Sequence, residues 1–137
     1  MIPSVYVAGA SKELERCKRW IAELEKTGIR VTTDWTKPVE KYGSAGLELS
    51  QPEKWFFARG NLRGIDEATL VWLLAPPLEA TSVGMWIEFG YALYATNRKK
   101  ILVSPPVSNR CIFATLPQVV EFATDEEVFA FIQEYGG

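Results

Sequence analysis

A carboxylate set alone in an apolar segment is the side chain of this sequence best suited to chemistry. Glu88 is the only charged residue between Glu79 and Arg98, and it is surrounded by Val83, Met85, Trp86, Ile87, Phe89, Tyr91 and Leu93. A carboxylate near apolar walls costs free energy unless it is paired or hydrogen-bonded, and groups perturbed in this way gather at functional sites. Helical spacing puts Gly84, Met85, Tyr91 and Ala92 on the same face as Glu88. The structural alternative is a carboxylate that reaches water or an arginine at the helix flank. The chain contains no histidine. That excludes histidine-based zinc sites, Ser-His-Asp triads and Cys-His pairs, and leaves acid–base or nucleophilic work to carboxylates, Tyr, Lys, Ser or Cys. Cys17 and Cys111 do not make a metal framework and are expected to pack as small apolar residues. No metal and no cofactor is expected.

The totals narrow the partners. At 137 residues, with 47% hydrophobic and 23% charged side chains, the chain has the makings of one globular domain, residues 1–137, with a real core. A net charge of −2 with both signs scattered offers no footprint for nucleic acid. A small anionic ligand held by a few local donors is compatible with it. The start of the chain lacks the basic region of a signal peptide, and the longest apolar stretches fall short of the roughly 20 residues a membrane span needs. We therefore expect a cytoplasmic protein with no membrane partner.

The elements that must position Glu88 follow from periodicity. Residues 2–8 read as a buried strand, followed by Gly9 and by a helix capped by Ser11 that runs to about Thr27. In it Leu14, Cys17, Ile21 and Leu24 form one apolar stripe. Gly28 suits a helix C-terminus, and residues 29–33 are a second strand. Residues 34–49 read as a long loop of the kind that is often functional. Ser50 to Glu53 is a capping box with Pro52 in the first turn, opening a helix to about Ile65. Residues 69–75 are the most hydrophobic strand and so the expected centre of the sheet. A helix from about Val83 to Thr96, a strand at 100–104, a short strand at 118–122 and a terminal helix capped at Thr124 complete the chain, with Val128, Phe131, Ile132 and Tyr135 on one face of that last helix. Strands alternating with helices predict a single α/β domain: a flavodoxin- or Rossmann-like, open, mostly parallel five-stranded sheet with helices on both faces. Ligands of such sheets bind outside the carboxyl ends of the strands, here at 8–11, 33–37, 75–82 and 104–110.

At these positions the residues resemble a family. Gly84-Met85-Trp86-Ile87-Glu88-Phe89-Gly90-Tyr91-Ala92 is similar to the Glu-x-Gly-x-Ala helix of the nucleoside 2-deoxyribosyltransferase superfamily, which includes the 2-deoxynucleoside 5-phosphate N-hydrolases. Val5-Tyr6-Val7-Ala8-Gly9-Ala10 resembles that family's first strand and glycine turn, and residues 69–75 resemble the strand before its catalytic loop. The order of elements agrees from Ile2 to about Phe131. The resemblance implies cleavage or exchange of the N-glycosidic bond of a (deoxy)nucleoside or its 5-monophosphate. Glu88 would be the nucleophile that attacks C1 of the sugar and forms a glycosyl-enzyme, and Tyr6 would position it. Ser82 stands where the hydrolases carry a phosphate-binding serine and the transferases an aspartate. Asn61 stands where the family usually has an aspartate. An amide cannot shuttle a proton, which makes Asp66 a candidate substitute. Asn109 matches an asparagine lent to a neighbouring subunit, which implies a homo-oligomer.

Several of these residues also carry a local reading. Ser82 at a helix N-terminus favours an anion, or is simply an N-cap. Ser11 and Lys12 are placed to complete a phosphate cradle, Gly9 to let a ligand approach the backbone, and Gly84 to line the substrate face beside Glu88. Trp35, Trp55, Phe56 and Phe57 are candidates to stack on a base or to pack at a hinge, and Arg59 to meet a phosphate or remain solvated. Two other functions fit the same scaffold: a non-catalytic nucleotide-binding or sensor module, and a TIR-like NAD-cleaving domain that also relies on one glutamate.

Overall fold

The structure, a computed structural model, describes residues 2–78, 82–95 and 99–135. Five strands, β1 (Ser4–Gly9), β2 (Arg30–Val31), β3 (Leu70–Leu74), β4 (Lys100–Ser104) and β5 (Val119–Glu121), form one sheet in the order β2-β1-β3-β4-β5. Every pairing is parallel. Five helices accompany them: α1 (Leu14–Lys26), α2 (Thr36–Tyr42), α3 (Gln51–Glu67), α4 (Val83–Tyr94) and α5 (Asp125–Glu134). The expected fold is thus observed, with a sheet that is wholly rather than mostly parallel. The expected end of α4 at Thr96 lies outside the described residues.

All five residues of β3 are buried, as are Val5 to Ala8 of β1. A strand covered on both faces can be apolar throughout, and such strands occupy the centre of a parallel sheet. On one face Trp20 of α1 packs against Trp72 of β3 and Phe129 of α5, with ring centroids 5.4 and 5.5 Å apart. On the other face Tyr6 of β1 points toward α3 and α4. Among the described residues no helix is long and apolar enough to cross a membrane.

The C-terminal ends of β3 and β4 are tied together by Arg16 of α1. Its guanidinium donates to the carbonyls of Ala75 (2.7 Å) and Ser104 (2.9 Å) and forms two parallel 2.8 Å bonds with Asp125 at the start of α5. Asp125 also accepts from the Ser104 hydroxyl at 2.8 Å and from the Trp20 indole at 3.1 Å. Burial alone would push Asp125 up. The hydrogen bonds from Arg16 and Ser104 outweigh it and hold the carboxyl below its ordinary value. The edge at 104–110 was expected to face ligand, but Ser104 is committed to this network and to the Trp72 indole (3.0 Å).

Local signals account for the helix starts unevenly. The capping box at Ser50 is present in both directions, with Ser50 and Glu53 exchanging side-chain bonds to each other's backbone. Ser11 does not cap α1: Ala10 is the N-cap of a 3-10 turn (Ser11–Glu13) that leads into the helix. The expected loop at 34–49 contains α2. Asp34 starts it by accepting from the Thr36 amide (3.0 Å) and the Thr36 hydroxyl, and Pro38 sits in its first turn.

Helix α3 lies close against the β1–β2 edge because two of its glycines meet threonines. The Thr33 hydroxyl donates to the Gly60 carbonyl (3.0 Å) and the Thr32 hydroxyl to the Gly64 carbonyl (2.7 Å). A Cβ on Gly64 would run into the Thr33 hydroxyl and sit 3.0 Å from the Tyr6 ring, whereas one on Gly60 would meet nothing within 4 Å. The two positions should therefore respond oppositely to alanine. Gly60→Ala should stabilise by up to about 1 kcal/mol through helix propensity. Gly64→Ala should lose on the order of 1–2 kcal/mol, because overpacking outweighs that gain. Urea denaturation of both variants checks the pair, and equal shifts would remove the close approach as the reason for Gly64.

Candidate functional site

The chain leaves β1 for β2 on one side and later enters β3 on the other side of β1, so the connections after β1 and β3 diverge. Open parallel sheets bind ligands at such a switch point. A cavity of about 590 Å³ lies there. Gly9 to Lys12 after β1, Ser82 to Met85 and Glu88 of α4, and Asn61 of α3 line it. Trp35, the α2 residues Pro38, Val39 and Tyr42, the 43–46 loop, Leu49, Lys54, Phe57 and Ala58 complete the wall.

Glu88 is half-buried on this wall. The Tyr6 hydroxyl donates to its Oε2 at 2.7 Å, and the Asn61 side chain stands near enough to favour its ionised form. Burial raises the Glu88 carboxyl to about 7, although both of these neighbours favour its ionised form. Tyr6 is fully buried, and burial together with the adjacent carboxylate moves its own pKa well above the ordinary value, so it remains a donor. Tyr6 pairs with Val71 in mid-sheet, three residues before Gly9, and its ring spans from there to Glu88. The packing of α3 at Gly60 and Gly64 brings Asn61 to the same carboxylate.

Two serines converge on the cavity at helix starts. Ser82 is 9% exposed, makes no side-chain cap bond, and among the described residues its buried Oγ has no hydrogen-bond partner. Buried polar atoms are almost always satisfied, so this hydroxyl is one that a bound group would complete. Ser11 lines the cavity and is likewise not engaged in capping. Lys12 lines it as well, from an exposed position. Gly84 opens the wall, since a Cβ there would meet nothing within 4 Å.

Other candidates are placed elsewhere or differently. Asp66 is exposed at the end of α3, bonded to the Tyr91 hydroxyl at 2.9 Å through both oxygens, and is not on the cavity wall. It lies toward the opposite edge of the sheet, because α3 runs back from the ligand edge to the start of β3. Asn109 is exposed on the turn after β4, away from the cavity of its own chain. At Gly9 a side chain would collide with Cys17 Sγ, so glycine is required there by packing of α1 as well as by any ligand. Cys17 is fully buried and its thiol is pushed up to about 12 by that burial, which makes it a core residue.

Of the four aromatic candidates, Trp35 and Phe57 face the cavity. The Trp35 indole is tied to the Val7 carbonyl at 2.7 Å. Trp55 and Phe56 are exposed outside it, with Arg59 5.7 Å from the Trp55 ring. Tyr42, unsuspected from sequence, pairs with Phe57 at 6.1 Å between centroids. Recognising α2 from Asp34, Thr36 and Pro38 would have found it. Compared with protein-family models and with curated proteins, the chain matches none.

Proposed function

We propose that this protein cleaves the N-glycosidic bond of a nucleoside 5-monophosphate, with Glu88 as nucleophile. The observation that carries the reading is a desolvated carboxylate, held by Tyr6 with Asn61 beside it, on the wall of the switch-point cavity. A carboxylate held in this way can approach C1 of a bound sugar, stabilise the positive charge that develops there and then bond to it. The hydrogen bond from Tyr6 fixes its orientation before reaction, with Asn61 beside it, and the raised pKa reflects the poor solvation that makes it reactive. Water then releases the sugar, or a second base accepts it.

The phosphate assignment is supported by the unpartnered Ser82 hydroxyl at the start of α4, with Ser11 on the same wall. Helix N-termini favour anions. Ser82→Ala should raise KM for monophosphates by about tenfold or more, the value of a hydrogen bond to a charged group, and leave the matching nucleosides nearly unchanged. Equal losses for both substrates would leave Ser82 as a spacer. A free nucleotide substrate fits a cytoplasmic enzyme, since a phosphate dianion does not cross bilayers unaided. Asn109, on its exposed turn, is offered to a second copy of the chain, making the working form a homo-oligomer.

The pH profile tests the role of Glu88. A nucleophile must be ionised, and the carboxyl titrates at about 7. The free-enzyme kcat/KM should therefore rise about tenfold per pH unit below that value and level off above it. A profile that falls through neutrality would instead make Glu88 a proton donor. Base release from a panel of nucleosides, monophosphates and NAD, followed by chromatography, tests the activity itself. Binding of nucleotides with no base released from any of them would favour a non-catalytic nucleotide sensor.

A further inference from the structure

We propose that helix α4 is the seam of a two-fold symmetric dimer, in which a second copy of this chain lays its own α4 antiparallel across it. The inference goes beyond the glycosidase reading and does not depend on Asn109. It starts from composition. Between Val83 and Tyr94 only Glu88 is charged, and Glu88 faces the cavity. The outer side of α4 meets solvent through Val83, Ile87 and Tyr94, which are 65%, 62% and 84% exposed. A helix that is apolar all round is normally buried. Here one flank of it is bare.

The exposure is confined to one layer. The Tyr6 face of the sheet carries α3 and α4. Right-handed crossovers from β3 to β4 and from β4 to β5 keep the 3-10 turn at Ile112–Thr115 on that same face. Gln118, just after that turn, donates to the Leu93 carbonyl of α4 at 3.4 Å. Trp55 and Phe56 of α3, with Ile112 and Phe113 of the turn, add to the exposed apolar surface of this layer. The α1 and α5 layer leaves no large apolar side chain exposed among the described residues. At roughly 200 Å² for each fully exposed large side chain, the apolar residues named here present on the order of 900 Å². A stable interface takes about 800 Å² from each partner.

What selects a second copy over another partner is that the face complements itself. Gly84 and Gly90 flank Ile87 at three-residue spacing, both exposed, and a Cβ on either would meet nothing within 4 Å. Glycine inside a helix is unfavourable unless something needs its space. Let two α4 helices lie antiparallel, with the two-fold axis at the level between Glu88 and Phe89. Ile87 then lies over the partner's Gly90, and Val83 over the partner's Tyr94. Each projection meets a hollow or an aromatic side chain of the identical helix, as an isologous contact requires. Val83 and Gly84 also line the cavity, so the partner's α4 borders the ligand site of each subunit.

Sedimentation velocity on the full chain at micromolar concentration tests the seam. The wild type should carry the mass of two chains. Ile87→Glu places a charge at the axis and Gly90→Ile fills the hollow. Each should raise the dimer dissociation constant by about 100-fold or more, the range of a hot-spot residue. Both positions are exposed in the single chain, so circular dichroism should show an unchanged fold. Combining Ile87→Gly with Gly90→Ile exchanges projection and hollow, and the dimer should return. A wild type that sediments as one chain would overturn the proposal and leave this face to a different partner. A dimer that survives both single substitutions would overturn it too. A double variant no tighter than Gly90→Ile would overturn the antiparallel register. Mass is the readout throughout, so failure of the glycosidase reading and failure of the seam are separate results.

Discussion

Glu88→Gln is expected to lose turnover by on the order of 10³-fold or more while the fold is retained and even gains stability at neutral pH. The activity loss follows from the missing nucleophilic oxygen. An amide preserves the shape and can still accept from Tyr6, so packing gives no reason for collapse. The stability gain follows from linkage. The Glu88 carboxyl is raised to about 7 in the folded protein, against about 4.3 in an unfolded chain. Below the unfolded value the residue is protonated in both states and carries no penalty. Between the two values the unfolded chain ionises first, so stability falls as pH rises, and above about 7 the full penalty applies. The variant escapes it, a difference on the order of 2 kcal/mol for a side chain partly open to its cavity. Denaturation midpoints at pH 4 and pH 8 check this. The difference between variant and wild type should be small at pH 4 and favour the variant at pH 8. A variant that is less stable at pH 8 would indicate a carboxylate retained for structure.

Asp125→Asn should have the largest effect on folding. The bidentate pair with Arg16 is only 16–21% exposed, and Arg16 also holds the carbonyls of Ala75 and Ser104. Removing the carboxylate leaves Arg16 with only the Glu13 carboxylate, 3.1 Å away, as a charge partner, at a cost of up to about 3 kcal/mol. The pH signature is opposite to that of Glu88. The Asp125 carboxyl lies below its ordinary value, so its contribution is present above the unfolded value of about 3.9 and is lost as pH falls through the folded one. Guanidinium unfolding of both proteins at pH 7 should show the full gap, and the gap should close toward pH 2. A gap that does not change with pH would mean the loss comes from packing and not from charge.

The sequence-based reading and the structure agree where the determinants are local. The box at Ser50 and Glu53, the stripe of Cys17, Ile21 and Leu24, and the apolar run of β3 each depend on residues within a few positions of one another, and each element forms as its pattern demands. Short elements were less legible. α2 has seven residues, too few for an apolar period, and Ser11 looks like a cap although a 3-10 turn intervenes. The candidate site divides in the same way. Glu88 was visible as a charge among apolar neighbours. The role of Asp66 was not: its position five residues after Asn61 hides the fact that α3 carries it away from the cavity to Tyr91.

By itself the sequence determined a parallel α/β sheet and a lone acid on the helix that follows its central strand, because periodicity, caps and composition act over one or two turns of chain. Only the tertiary structure decided that Tyr6, 82 positions away, bonds that acid and that Asn61, 27 positions away, stands beside it, that Ser82 is buried without a partner among the described residues, and that Trp35, Tyr42 and Phe57 share one wall. Those relations depend on the strand order and on how closely α3 approaches β1. Both are set by packing between segments distant in sequence, for which no local pattern carries a signal.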